Sequence, residues 1–189
     1  AAQLREDAAN IRTFTDFDTM LAEAKPDLVD ILTPPAFHAS ICVAAAKAGC
    51  HILCEKPMAR TWLEARKMLE AVQQAGVFFQ MAENLIFDPM WYDCRKLIQA
   101  GTIGEPVAIF IPLAIGDAKP IRWQPLPSGG GSLIDMGVHA IMTGWFLLGY
   151  DWRPVAAKAA APHGITLRIP QRLTSGIYQD VHVEDDAHV

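Results

Sequence analysis

The sequence has no hydrophobic run long enough to cross a bilayer. The longest, 107–115, is interrupted by Pro112, whereas a spanning helix needs about 20 consecutive apolar residues. No signal-peptide pattern opens the chain. Basic blocks are missing as well: 16 Lys+Arg stand against 21 Asp+Glu, a net charge of -5. That balance excludes a nucleic-acid platform held by phosphate contacts. Cysteine is scarce, and Cys42, Cys50, Cys54 and Cys94 form no C-x-x-C pair and no metal-like spacing. They read as reduced, buried thiols of a cytoplasmic protein. What is abundant is apolar material: 51% of 189 residues, with a mean hydropathy of +0.17. This is ample for a buried core and excludes a disordered tail. The length fits one large domain or two small ones. The chain starts at Ala1 inside a helical pattern, so a piece of a longer chain is expected.

Apolar runs and helical patterns alternate from the start. The pattern predicts helices over 3–9 and 17–24, the second capped by Asp16 and ended by Pro26. A β-rich run over 28–32 closes on Thr33-Pro34-Pro35, and an Ala-rich helix over 39–48 ends at Gly49. Strand 51–54 follows, and Thr61 with Glu64 makes a capping box for a helix to Ala75 with Gly76 beyond. A third strand spans 77–81, and Asp88-Pro89 opens a helix that runs to Gly101. Strands alternating with helices, and apolar along their length, imply a parallel sheet covered on both faces. Such sheets bind ligands at the carboxyl ends of their strands. Those ends carry Thr33-Pro34-Pro35, Glu55-Lys56-Pro57 and Glu83-Asn84. Beyond a boundary near 103 the character changes: a long strand over 105–115, a loop through Trp123, an apolar helix over 133–148, then strands over 152–161, 165–169 and 175–183 that are expected to be antiparallel. The fold class expected is thus α/β: an incomplete Rossmann-like parallel sheet over 1–103, then an incomplete α+β part with a mainly antiparallel open sheet over 104–189.

Few residues in this frame suit chemistry. Lys56 ends a buried strand and precedes a proline; it reads either as a strand-end lysine in water or as an acid/base group in a low-dielectric cleft. Asp135 and His139 stand four apart on an otherwise apolar helix and share one face. An ionisable pair there needs a partner or a role, so it either satisfies itself or serves catalysis. A third ligand at metal-like spacing is missing, and no metal site is expected. Gly129-Gly130-Gly131 before the helix lacks the Lys-Ser/Thr ending of a phosphate loop. It reads as a turn that lets the helix approach the cleft. His38 and Trp123, taken singly, suit packing as well as ligand contact.

In combination these segments resemble the Gfo/Idh/MocA oxidoreductase family, which includes glucose-fructose oxidoreductase and inositol dehydrogenases. The resemblance rests on residues 29–35 with His38, on Ala48-Gly49 through Glu55-Lys56-Pro57-Met58-Ala59, on Ala82-Glu83-Asn84 with Phe87 and Pro89, and on Gly129 through Asp135-Met136-Gly137-Val138-His139. It implies a Rossmann domain that binds NAD or NADP, then a second domain whose open sheet covers the nicotinamide and mediates homo-oligomer assembly. It implies that Lys56 touches the substrate hydroxyl and helps hold the cofactor. His139 is then the general acid/base and Asp135 its orienting or substrate-binding partner. Thr33, Pro34, Pro35 and His38 line the ribose and pyrophosphate, Glu55 and Asn84 the nicotinamide side, and Trp123 the cofactor cleft. The family's Gly-rich fingerprint does not occur in this sequence, and Pro35 stands where relatives often carry Asn.

The activity these features imply is hydride transfer between a nicotinamide and a secondary hydroxyl of a sugar, a polyol or a related small molecule. A glycosidase that uses NAD transiently on the same scaffold, and a non-catalytic dinucleotide or sugar sensor, are the alternatives. Net accumulation of reduced nicotinamide separates the first two; loss of Lys56 or His139 would mark the third, and both residues are present.

Overall fold

The computed structural model describes residues 11–112 and 129–157 in full, and the backbone of 165–166, 171–174, 177–180 and 186–187. The expected helix over 3–9 and Trp123 lie outside the described residues. Helix α1 (Phe17–Ala24) starts where Asp16 accepts a hydrogen bond from the Thr19 amide at 2.7 Å. Strand β1 (Leu28–Ile31) leads into α2 (Pro35–Lys47), with Pro35 in its first turn, where no intrahelical donor is needed. Strand β2 (His51–Glu55), helix α3 (Trp62–Ala75) and strand β3 (Phe79–Ala82) complete two β-α-β crossovers. At the start of α3, Thr61 accepts from the Glu64 amide as expected. The Glu64 carboxylate reaches one residue further back than a capping box requires and accepts from the Arg60 amide at 3.1 Å.

The three strands form a parallel sheet in the order β1-β2-β3. Register pairs Leu28 with His51 and Ile52 with Phe79, ending on Glu55 beside Ala82. Right-handed crossovers that step in one direction place their helices on the same face of the sheet. Accordingly α2 and α3 pack against each other, and Val29, Ile31, Ile52 and Cys54 bury under Cys42, Ala45, Ala46, Met68 and Val72. In β1 and β2 buried residues alternate with more exposed ones: Leu28, next to buried Val29, is 54% exposed. The small residues Cys42, Ala45 and Ala46, spaced at three and four, let α2 lie close on the sheet.

A short 3-10 turn (Leu85–Phe87) joins β3 to α4 (Pro89–Gln99), which Asp88 caps. Residues 105–112, the described part of the strand expected over 105–115, make no strand pairing among the described residues. Their β-rich composition predicts a strand, but a strand needs an edge to pair with, and Val107 and Phe110 are 97% and 89% exposed. The expected single helix over 133–148 is in two parts, a π-helical turn (Leu133–Gly137) and helix α5 (Val138–Leu148). Helix α4 packs on α5, with Arg95 above the Phe146 ring at 4.5 Å. The remaining strands β4 (Ile165–Thr166), β5 (Gln171–Thr174), β6 (Ile177–Asp180) and β7 (Asp186–Ala187) pair antiparallel as β4 with β7 and β5 with β6. No described helix is long and apolar enough to cross a membrane.

The four cysteines are unpaired, three of them buried and Cys94 half-buried. Burial pushes the Cys42 thiol up to about 11 and that of Cys54 to about 12; burial, with the nearby Asp27 charge, raises Cys50 as well. Thiolate is the reactive form. At mildly alkaline pH a maleimide probe is therefore expected to label the folded protein rapidly at Cys94 alone, with the other three reacting only on unfolding. Rapid labelling at Cys42 or Cys54, read by peptide mass, would contradict this burial.

Candidate active site

All three parallel strands deliver their carboxyl ends to one edge of the sheet, and the residues just past those ends make the site. After β1, Thr33 and Pro34 turn the chain into α2. The Thr33 hydroxyl is buried there and has no hydrogen-bond partner. His38, one turn into α2, is completely buried. Its Nδ1 lies 2.9 Å from the Pro57 carbonyl and its Nε2 2.7 Å from the Thr33 carbonyl. The ring thus staples the loop after β1 to the loop after β2, and it has no nitrogen left for a ligand. His38, expected to line the cofactor, is enclosed between these two loops.

Lys56 follows β2 directly. The solvated reading of this lysine fails: its side chain is 13% exposed and its ammonium lies 2.7 Å from both the carboxylate and the carbonyl oxygen of Asp135. Glu55 stays half-buried and accepts from the Lys56 amide through its carboxylate at 3.0 Å. The glycine segment is held close here. Gly129 adopts φ +81, and a Cβ on it would come within 2.4 Å of Arg60 Cγ and 3.0 Å of Arg60 Cα. Neither the conformation nor the space admits a side chain. Close approach, more than mere flexibility, accounts for this glycine.

His139 opens α5 and sets its Nδ1 2.7 Å from Oε1 of Glu83, the residue after β3. His139 is 7% exposed and Glu83 2%. Oε1 also accepts from the Leu85 amide at 3.1 Å, while Oε2 is buried with no partner. The Asp135–His139 spacing predicts a shared helical face, with self-pairing as one of two readings; the carboxylate that meets the His139 ring is Glu83, and Asp135 meets Lys56. The π-helical turn at Leu133–Gly137 explains part of the difference, because a wider turn breaks the simple i, i+4 face. Such turns occur frequently at functional sites.

The geometry behind this double link is simple. Glu55 and Ala82, the last residues of β2 and β3, are register partners, so Lys56 and Glu83 directly follow neighbouring strand ends, in strands about 4.8 Å apart. Asp135 and His139 stand about one helical turn apart, a comparable distance. Two neighbouring strand ends thereby grip one helical segment through two charged contacts. Glu83 is the residue that sequence reasoning left without a role; its signals were its place at a strand end and its presence in the Ala82-Glu83-Asn84 segment. Asn84 is exposed beside it, and Thr33, Pro34 and Pro35 are half-buried at the same edge. Among the described residues no group of three His, Cys, Asp or Glu could hold a metal ion. A cavity of about 460 Å³ lined by Lys25, Asp27 and His51 lies by the opposite, amino-terminal ends of the strands and includes none of these groups.

Residues 1–83 match the family model described as the Gfo/Idh/MocA oxidoreductase family with an NAD-binding Rossmann fold, and residues 91–189 match the C-terminal domain of the same family. The D-glucoside 3-dehydrogenase of Escherichia coli is 29% identical over 173 residues, 86% of this chain and 46% of that protein. The NADP(+)-dependent D-xylose 1-dehydrogenase of Haloarcula marismortui is 30% identical over 167 residues, 84% of this chain and 46% of that protein. A levoglucosan dehydrogenase structure in complex with NADH and levoglucosan superimposes with a TM-score of 0.74 at 29% identity, covering 98% of this chain and 49% of that one. The chain thus spans about half the length of the proteins it matches. Its parallel sheet, the Glu-Lys-Pro turn at its carboxyl edge, the helix bearing Asp135 and His139, and both family models agree: the chain belongs to the Gfo/Idh/MocA oxidoreductase family.

Proposed function

We propose that the intact protein is an NAD(P)-dependent oxidoreductase that transfers a hydride between the nicotinamide and a secondary hydroxyl of a sugar, a polyol or a related small molecule. The observation that carries this reading is the convergence of Lys56 and His139 on one sheet edge, each held by its own carboxylate. An alcohol oxidation must dispose of one proton and one hydride. The bound nicotinamide supplies the hydride chemistry. The chain supplies the rest: the His139 ring accepts the hydroxyl proton, and the Lys56 ammonium, fixed by Asp135, polarises the same oxygen.

The residues present fit a dinucleotide at this edge. The Thr33 hydroxyl is buried and unpartnered where the chain leaves β1, the place where open α/β sheets bind nucleotides. In this reading Thr33, Pro34 and Pro35 hold the ribose and pyrophosphate, and Glu55, Lys56 and Asn84 hold the nicotinamide side. Trp123 joins them on the resemblance alone, and His38 steadies the loops after β1 and β2 through its two carbonyl contacts. Residues 1–103 form the dinucleotide domain and 104–189 contribute to substrate binding and self-assembly. The unpaired thiols favour a cytoplasmic setting. The test is an assay of the intact protein with aldoses, glucosides and polyols and either NAD+ or NADP+. Reduced nicotinamide should accumulate in step with a keto or lactone product; binding of the same sugars without any reduced cofactor would overturn the reading.

A further inference from the structure

We propose that Glu83 is a positioning residue for His139, one that fixes the imidazole as its Nδ1–H tautomer and so leaves Nε2 as the nitrogen able to take a proton. The inference rests on the proposed acid/base role of His139 for its consequence in catalysis, but not for the tautomer itself.

The tautomer follows from the donors around one oxygen. Glu83 Oε1 accepts the Leu85 amide at 3.1 Å and lies 2.7 Å from His139 Nδ1. A carboxylate is acceptor-only, so Oε1 takes the Leu85 amide proton and a second proton that belongs to the ring; Nδ1 donates. Nε2 makes no hydrogen bond among the described residues and is the nitrogen left for chemistry. Glu83 can impose this because it cannot move. Its main chain follows β3, its amide donates to the Met81 carbonyl at 2.9 Å, and its side chain is enclosed. The unpartnered, buried Oε2 marks a polar group held against the cost of its own desolvation. Such an expense is characteristic of functional placement more than of packing. Asp135 pairs with Lys56 and Glu55 accepts from the Lys56 amide, while Glu83 is the carboxylate in contact with the ring.

The test uses the intact protein with isotopically labelled histidine. Long-range imidazole nitrogen–proton correlations report the tautomer of each ring, with the His139 signal identified by its loss in His139→Asn. The wild type is expected to show the Nδ1–H form at His139. In Glu83→Gln the amide oxygen still accepts from Leu85 and can accept from Nδ1, but as a neutral acceptor it holds the ring less firmly, so the Nδ1–H preference should weaken toward a mixture. Turnover should fall about 10–100-fold with KM little changed, and Glu83→Asp should recover part of both signals. An Nε2–H ring in the wild type, or wild-type turnover in Glu83→Gln, would overturn the proposal. If Glu83→Gln fails to fold, the wild-type spectrum and Glu83→Asp decide. A protein with the expected tautomer but no dehydrogenase activity would contradict the proposed function and leave the Glu83–His139 assignment standing.

Discussion

Lys56→Met in the intact protein is expected to lower turnover by about 100-fold or more, the loss typical of a missing proton-transfer or polarising group. Methionine keeps much of the lysine stem's volume and removes the ammonium that lies 2.7 Å from the Asp135 carboxylate. That ammonium sits where the sheet edge meets the helix, shielded from water, so its field on a nearby oxygen is stronger than the same charge would exert in bulk solvent. Asp135 loses a partner in the variant, and breaking a shielded ion pair from one side also costs stability. The double variant Lys56→Met with Asp135→Asn separates the two effects. Because the pair acts on one step, its combined loss in turnover should be little worse than that of Lys56→Met alone. Unchanged turnover in Lys56→Met, at equal folded fraction, would return Lys56 to a structural role.

His139→Asn should be comparably severe, with turnover lower by about 100- to 10,000-fold. An asparagine amide nitrogen can take the place of Nδ1 and donate to Glu83, so the buried carboxylate stays partnered while the basic Nε2 is removed. The melting temperature should change little. His139→Ala removes both functions, and the orphaned Glu83 adds a stability loss of order 1–3 kcal/mol or more. A His139→Asn enzyme that turns over normally would show that the ring only satisfies Glu83. Thermal unfolding of the two variants, alongside their kinetics, distinguishes these roles.

Local features of the fold were legible because local rules govern them. Asp16, Thr61 and Asp88 cap helices as their types predict, and Gly76 ends α3 in the left-handed conformation. The strand-end position of Lys56 follows from the apolar run before it. The partners do not: Lys56 meets Asp135 79 residues away and His139 meets Glu83 56 residues away. Spacing within one helix suggested a nearer solution, and nothing in the sequence marked the π-helical turn that changes that helix's face. The 105–112 segment failed for a related reason. Its valine and phenylalanine favour a strand, yet pairing depends on an edge that composition cannot reveal. The alternating burial of β1 likewise comes from both crossover helices lying on one side, a property of strand order.

The central claim is that hydrogen moves as hydride between the substrate carbon and nicotinamide, with the hydroxyl proton handled by His139. The most direct measurement follows the isotope. A sugar that the intact protein oxidises is labelled with deuterium at the reacting carbon, and the reduced nicotinamide is isolated and analysed by mass and proton resonance. The account predicts one deuterium per reduced nicotinamide, and slower transfer from the labelled sugar. It would be contradicted if the sugar were consumed while the deuterium stayed on it, or passed to water, with no reduced nicotinamide accumulating.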